Sequence, residues 1–179
     1  IHFSYLPYYK GMYTSALPIL YGESYSGVTL HKIDSGIDTG DIIDQQKIII
    51  LKKDSARDLY LKYIKIGTDI VIKNLTSLIN NTFNYKVQSK EKSTYFSKKT
   101  LDYKNLKINY NQTASQILNQ IRAFTFREYQ MPNFKNININ SATITNKKSS
   151  IKSGEIIKQT NYQITISTID YDLVLDKDL

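Results

Sequence analysis

The second residue of the chain is a histidine, and aspartates stand at positions 34, 38 and 41, bordered by Gly36 and Gly40. An imidazole beside a carboxylate is a proton-handling pair, because the carboxylate fixes the ring's orientation and raises its proton affinity. Such a pair serves the attack of an amine on a carbonyl, where the nitrogen must lose a proton. Each part alone has a plainer meaning. A single histidine near a chain end is more often structural, and Asp and Gly are turn formers. The stretches "IHFSYLPYYKG" (1–11) and "IDSGIDTGD" (33–41) gain a chemical sense only if the fold brings them together.

The pattern between and after them suggests how it would. Residues 1–3 resemble the end of a buried strand, and residues 4–12, with Pro7 and Gly11, a loop. "TSALPILYG" (14–22) suits a short helix with Pro18 in its first turn and Gly22 past its end. Residues 27–34 and 42–51 alternate or run β-branched, as strands do. Ser55 with Asp58 forms a capping box ahead of a long helix, whose apolar stripe takes in Leu59, Tyr63, Ile66, Ile70, Leu75 and Leu78. Residues 80–110 are polar and irregular, with a strand expected at 94–96. Thr113 with Gln116 caps a second helix, and after Pro132 short alternating strands imply a small all-β module. The strand–helix–strand order favours a doubly wound α/β sheet with its site at the strands' carboxyl ends. The boundaries expected are 1–92 for the α/β portion, 93–112 for a linker, and 113–179 for the helix and β module.

Bulk properties narrow the classes. At 179 residues and 41% hydrophobic the chain is large and apolar enough for a packed core. With no cysteine, disulfides and thiolate metal sites are excluded, and no metal site is expected. There is no Walker loop, GxGxxG, HExxH or GxSxG motif, and the aspartate spacing fails the EF-hand pattern. The net charge of +8 comes from 24 basic residues against 16 acidic, and it is concentrated after residue 50. Lysines spread over solvated faces explain it better than a nucleic-acid surface does. No run approaches the roughly 18 apolar residues of a membrane helix, so a cytoplasmic protein is expected. The chain opens on Ile rather than Met, which reads as a fragment missing residues before Ile1 and some after Leu179.

The combined motif resembles the folate-dependent formyltransferase family. That family shows Asn-x-His at a strand end, a Ser-x-Leu-Pro loop with a basic-Gly pair, Gly-Val-Thr, and an Asp-x-Gly-x-Asp-Thr-Gly loop. This chain supplies His2, Ser4-Tyr5-Leu6-Pro7, Lys10-Gly11, Gly27-Val28-Thr29 and Asp34-Ser35-Gly36-Ile37-Asp38-Thr39-Gly40. The likeness is dense over residues 1–50 and continues through "STYFSKKT" (93–100) and "ASQILNQIRAF" (114–124). It implies the C-terminal half of a Rossmann-like formyltransferase domain followed by a helix and an all-β module. It also implies N10-formyltetrahydrofolate as formyl donor. His2 then matches the family's catalytic histidine and Asp38 its catalytic aspartate. The family's asparagine falls just before Ile1, so residues 1–179 alone are expected to be inactive. Pterin contacts, largely from backbone, are implied at Leu6, Ile33, Asp34 and Gly36.

Two acceptor amines compete: that of a nucleotide-linked amino sugar, as in surface-polysaccharide synthesis, and that of methionyl initiator tRNA. A non-catalytic scaffold is a third reading. "LPYYKGMYTS" resembles the sugar branch, which places Lys10 and Tyr13 at the substrate. "IRAFTFREYQMP" departs from the tRNA enzymes and brings Arg122, Arg127 and Tyr129 near one another in sequence. Arg binds pyrophosphate bidentately and Tyr packs on a sugar; the plain alternative makes Arg127 a surface ion pair. Related sugar enzymes are commonly dimers, so a homodimer is possible.

Overall fold

The computed structural model describes residues 1–178. Its elements run β1 (Lys10–Gly11), α1 (Leu17–Leu20), β2 (Tyr25–His31), β3 (Ile42–Ile49), α2 (Ala56–Ile79), β4 (Tyr95–Phe96), a 3₁₀ turn (Tyr103–Asn105), α3 (Ala114–Phe124), β5 (Asn133–Phe134), β6 (Ile137–Lys148), β7 (Ile156–Gln159), β8 (Gln163–Ile166) and β9 (Tyr171–Lys177). The protein is mixed α/β with an all-β C-terminal module, the class expected from the pattern. Within the first fifty residues the two long strands, β2 and β3, pair antiparallel rather than parallel. His2 extends this pair as a single bridge: its N–H donates to Thr29 O (2.8 Å), and Thr29 N–H returns to His2 O (2.9 Å).

Helix α2 starts where its capping box requires. Ser55 Oγ accepts from Asp58 N–H, and Asp58 answers at Ser55 N–H. The helix lies against β2 and β3. Leu59 and Tyr63 are fully buried, and the Tyr63 ring stacks on Phe3 with centroids 5.4 Å apart. Leu75 stands off the apolar stripe: five residues on from Ile70 it has turned well away from the buried face at about 100° per residue. It is 48% exposed, with Ile72 and Ile79 more so, whereas Leu78 beyond it packs against the core. Helix α1 has Pro18 in its first turn, as expected, and Gly22 N–H bonds to Ile19 O beyond its end.

The stretch after α2 runs back against the first fifty residues. Lys86 and Ile42 exchange backbone hydrogen bonds (2.8 Å each), and β4 pairs parallel with β1. Helix α3, capped by the Thr113–Gln116 box, packs on the C-terminal sheet, whose order is β5-β6-β9-β8-β7, all antiparallel. Ile117, Ile121, Phe134, Ile139, Ile164, Leu173 and Leu175 are buried in a cluster continuous with Val28, Leu59 and Tyr63. At about 25 cal/mol per Å² of apolar surface, such burial dominates the stability of both halves.

Candidate functional site

The site forms where the two motifs meet at the carboxyl end of β2. His2 is held by its backbone bridge to Thr29, and Thr29 also organises the loop that follows. Its hydroxyl donates to Ser4 O (2.7 Å) and accepts from Leu6 N–H (3.1 Å) and the Gln45 amide (2.9 Å). That explains the Gly-Val-Thr of the motif: a buried hydroxyl with three partners fixes the Ser-x-Leu-Pro loop. Ser4 Oγ closes the turn by donating to Tyr8 O (2.7 Å).

The aspartate loop is fixed by its own side chains. Asp34 Oδ1 accepts from Gly36 N–H (3.1 Å) and from Thr39 Oγ1 (2.6 Å), the local capture by which Asp builds turns. Gly40 passes so close to Lys32 that an added Cβ would lie 1.9 Å from Lys32 O. Asp38 itself has a left-handed backbone (φ 54°), a conformation Asp tolerates better than most residues.

Asp38 and His2 are brought together. Nδ1 of His2 lies 3.3 Å from Asp38 Oδ1, and the other carboxylate oxygen accepts from Gly11 N–H (2.8 Å). Gly11 sits at φ +86° with Phe96 O against the place a Cβ would occupy, so only glycine presents its N–H there. Nε2 of His2 is 2.9 Å from Tyr9 O. Both ring nitrogens thus face acceptors, which favours the imidazolium. Burial opposes it and prevails: desolvation, then the Tyr9 carbonyl and the Asp38 charge acting the other way, leaves the His2 pKa below its ordinary 6.5. The ring is therefore largely a neutral base at pH 7.

Two further residues complete the site. His31, the last residue of β2, brings Nε2 to 3.7 Å from the same Asp38 Oδ1. The chain's only two histidines therefore face one carboxylate; His31 was not singled out in the sequence, and that scarcity is the signal that could have found it. Gln88, in the stretch that reads as polar and irregular, donates its amide to Asp38 O (2.9 Å) and Gly40 O (2.6 Å). Nothing in its polar surroundings marks it in the sequence.

The other expected site residues are more dispersed. Ile33 is 95% exposed, and Asp34 and Gly36 are exposed beside it. Leu6 is buried, with its N–H held by Thr29 and its carbonyl bonded to Gln45 (2.8 Å), so it has no N–H left for a ligand. Lys10 is nearly buried, with its N–H on Thr94 O. The Tyr13 hydroxyl is engaged by the carbonyls of Lys98 (2.8 Å) and Leu101 (3.0 Å). Arg122 reaches Leu51 O, Asp54 O and Asn119 Oδ1, which ties α3 to the loop before α2. Arg127 pairs with Asp178 on the surface, and exposed Tyr129 packs on Phe126 with centroids 4.9 Å apart. Each of these three thus has its own partners inside the chain.

Two family models match: formyl transferase over residues 1–75, and formyl transferase, C-terminal domain, over residues 100–177. The chain belongs to the formyltransferase family. Among solved structures it is similar to the N-formyltransferase from Helicobacter canadensis, in complex with folinic acid and dTDP-3-aminofucose. That match has 43% identity and a TM-score of 0.88, and covers 99% of this chain and 65% of that one. It is also similar to WlaRD, a sugar 3N-formyltransferase seen with dTDP and 5-N-formyl-THF, at 44% identity and a TM-score of 0.87, over 98% and 63% of the two chains. Methionyl-tRNA formyltransferase of Clostridium tetani is 31% identical over 184 residues. The chain spans 57% of the length of that relative. For this formyltransferase family member, the two matched regions leave residues 76–99 between them, which include Gln88 and Thr94.

Proposed function

We propose that the protein moves a formyl group from N10-formyltetrahydrofolate to the amine of a nucleotide-linked amino sugar. The observation that carries this reading is the His2–Asp38 pair at the end of β2, set beside an exposed loop. The folate supplies the formyl carbon. The loop fits such a donor: Ile33 and Ile37 are 95% and 57% exposed, an apolar surface next to the pair for a flat conjugated ring. Ile33, Asp34 and Gly36 would hold it.

The residues of the chain supply the proton chemistry. An amine that becomes a formamide loses a proton, and neutral His2 is the base that takes it. The positive charge then on the ring is met by Asp38 at Nδ1 and by the Tyr9 carbonyl at Nε2. Gly11 N–H holds the second oxygen of Asp38, so the carboxylate cannot swing away as that charge develops.

For the acceptor, the support is the 43–44% identity to two N-formyltransferases, one seen with dTDP-3-aminofucose and the other a sugar 3N-formyltransferase. The curated methionyl-tRNA enzymes, at 31% or less, favour the second reading, in which the acceptor is methionyl-tRNA. The same proposal takes the protein as a cytoplasmic enzyme that supplies surface polysaccharide, and as a homodimer. The test offers the full-length protein N10-formyltetrahydrofolate with a panel of nucleotide-linked amino sugars and, separately, methionyl-tRNA. A formamide on one of the sugars is expected; product on the tRNA alone overturns the first reading.

A further inference from the structure

Asp38 is held from behind by one stretch of chain. Gln88 is 8% exposed, and its amide nitrogen donates to Asp38 O (2.9 Å) and to Gly40 O (2.6 Å). Carbonyls accept only, so the pair fixes which end of the amide is nitrogen. Gln88 Oε1 is buried and has no hydrogen-bond partner among the described residues. Just before Gln88, Lys86 exchanges backbone hydrogen bonds with Ile42 (2.8 Å each). Just after it, β4 pairs with Lys10 and Gly11, and Gly11 N–H holds Asp38 Oδ2 (2.8 Å). The stretch 86–96 therefore reaches Asp38 at both ends, at its carbonyl through Gln88 and at its carboxylate through β1. It lies between the two regions that the family models match.

We propose that Gln88 is a positioning residue of this site, which sets the left-handed turn at Asp38 and so keeps the carboxylate on His2. Asp38 at φ 54° adopts a conformation that costs energy for any residue with a Cβ. Gln88 binds the carbonyls that bracket Thr39, where the chain would otherwise relax. An oxygen buried without a donor lowers stability, so Gln88 is a poor side chain for filling space. What it contributes is the two hydrogens of its amide. The loop is exposed from Ile33 to Ile37 and again at Thr39, so without that amide it can shift to bring its carbonyls to water. The placement of Asp38 is then lost, and little of the stability. The plainer alternative is a polar side chain that merely packs under the loop.

The inference rests on the proposed role of the His2–Asp38 pair, and its test reads that pair directly. In the full-length protein, the His2 ring resonances are followed by NMR through a pH titration for Gln88→Met and Gln88→Glu. Steady-state formyl transfer and the melting temperature are measured beside them. Among the charged groups that face His2, Asp38 raises its proton affinity, while His31 and the amino group at Ile1 lower it. In Q88M the carboxylate leaves the ring, so the His2 midpoint moves down. There kcat falls on the order of tenfold with the acceptor KM little changed, and the melting temperature stays near that of the unaltered protein. In Q88E the ionised carboxylate repels both carbonyls, and the loss is at least as large. Its protonated form donates to one of them, so the ratio of its kcat to the unaltered protein's rises as pH falls. Q88E also carries the test if Q88M does not fold. A His2 midpoint unmoved in both variants overturns the proposal. So does a loss of kcat that tracks a fall in melting temperature. If no acceptor is formylated yet the midpoint moves, the proposed function fails and the role of Gln88 stands.

Discussion

The loop that carries Asp38 and the sheet that closes the chain hold their backbones in opposite ways. In the loop, side chains hold the main chain: Asp34 accepts from Thr39 and from Gly36 N–H, and Gln88 binds two carbonyls. In the sheet, main chain holds main chain, with β6 paired antiparallel to β9 through two register shifts and β9 to β8 without one. Side chains there need only be apolar on alternate positions, as Leu173 and Leu175 are. A region of the first kind loses its geometry when one identity changes. A region of the second kind loses stability in proportion to volume removed, and its neighbours do not notice.

The largest effect that sharpens this contrast is expected from Asp38→Asn. The amide keeps the volume but not the charge, so kcat should drop by about 10²–10⁴ in steady-state formyl transfer, with thermal unfolding nearly unmoved. A parallel loss of stability would break the distinction. Leu173→Ala should do the reverse: fully buried, it should cost about 2–5 kcal/mol in denaturant unfolding, while kcat per folded molecule holds.

Acid comes next. The His2 pKa is lowered in the folded state, so the unfolded chain binds its proton first as pH falls. This group therefore costs no stability above 6.5, and the cost grows as pH drops from there to the lowered folded value. The acid limb of the rate should likewise lie below 6.5; a limb above it would remove His2 as the base. The smallest effect belongs to Arg127→Ala. Its pair with Asp178 is exposed and worth at most about 1 kcal/mol. A large rise in KM for the sugar nucleotide in that variant would instead place Arg127 at the acceptor.

The same contrast decides what could be read in advance. His2, Asp38, both capping boxes and the fold class were legible, because each rests on a short-range identity pattern or a periodicity. Leu75 was assigned to the stripe on its apolar character alone, though five residues after Ile70 it turns away from the buried face at about 100° per residue, and it is exposed. Arg122, Arg127 and Tyr129 looked like a cluster by proximity in sequence, yet each turns to partners from a different part of the chain. Gln88 was illegible for the same reason: its partners lie 48 and 50 residues away, in a loop whose shape no local rule links to it.

Thr94 accepts a hydrogen bond from Tyr9 N–H across a separation of 85 residues, and Tyr9 O in turn faces His2. Closing so long a loop costs conformational entropy before any contact rewards it, and contacts of high sequence separation slow folding. The hairpin of β2 and β3 can form early from neighbouring residues. The surroundings of the imidazole depend on the chain turning back through α2, so the proposed site is expected to be completed late in folding.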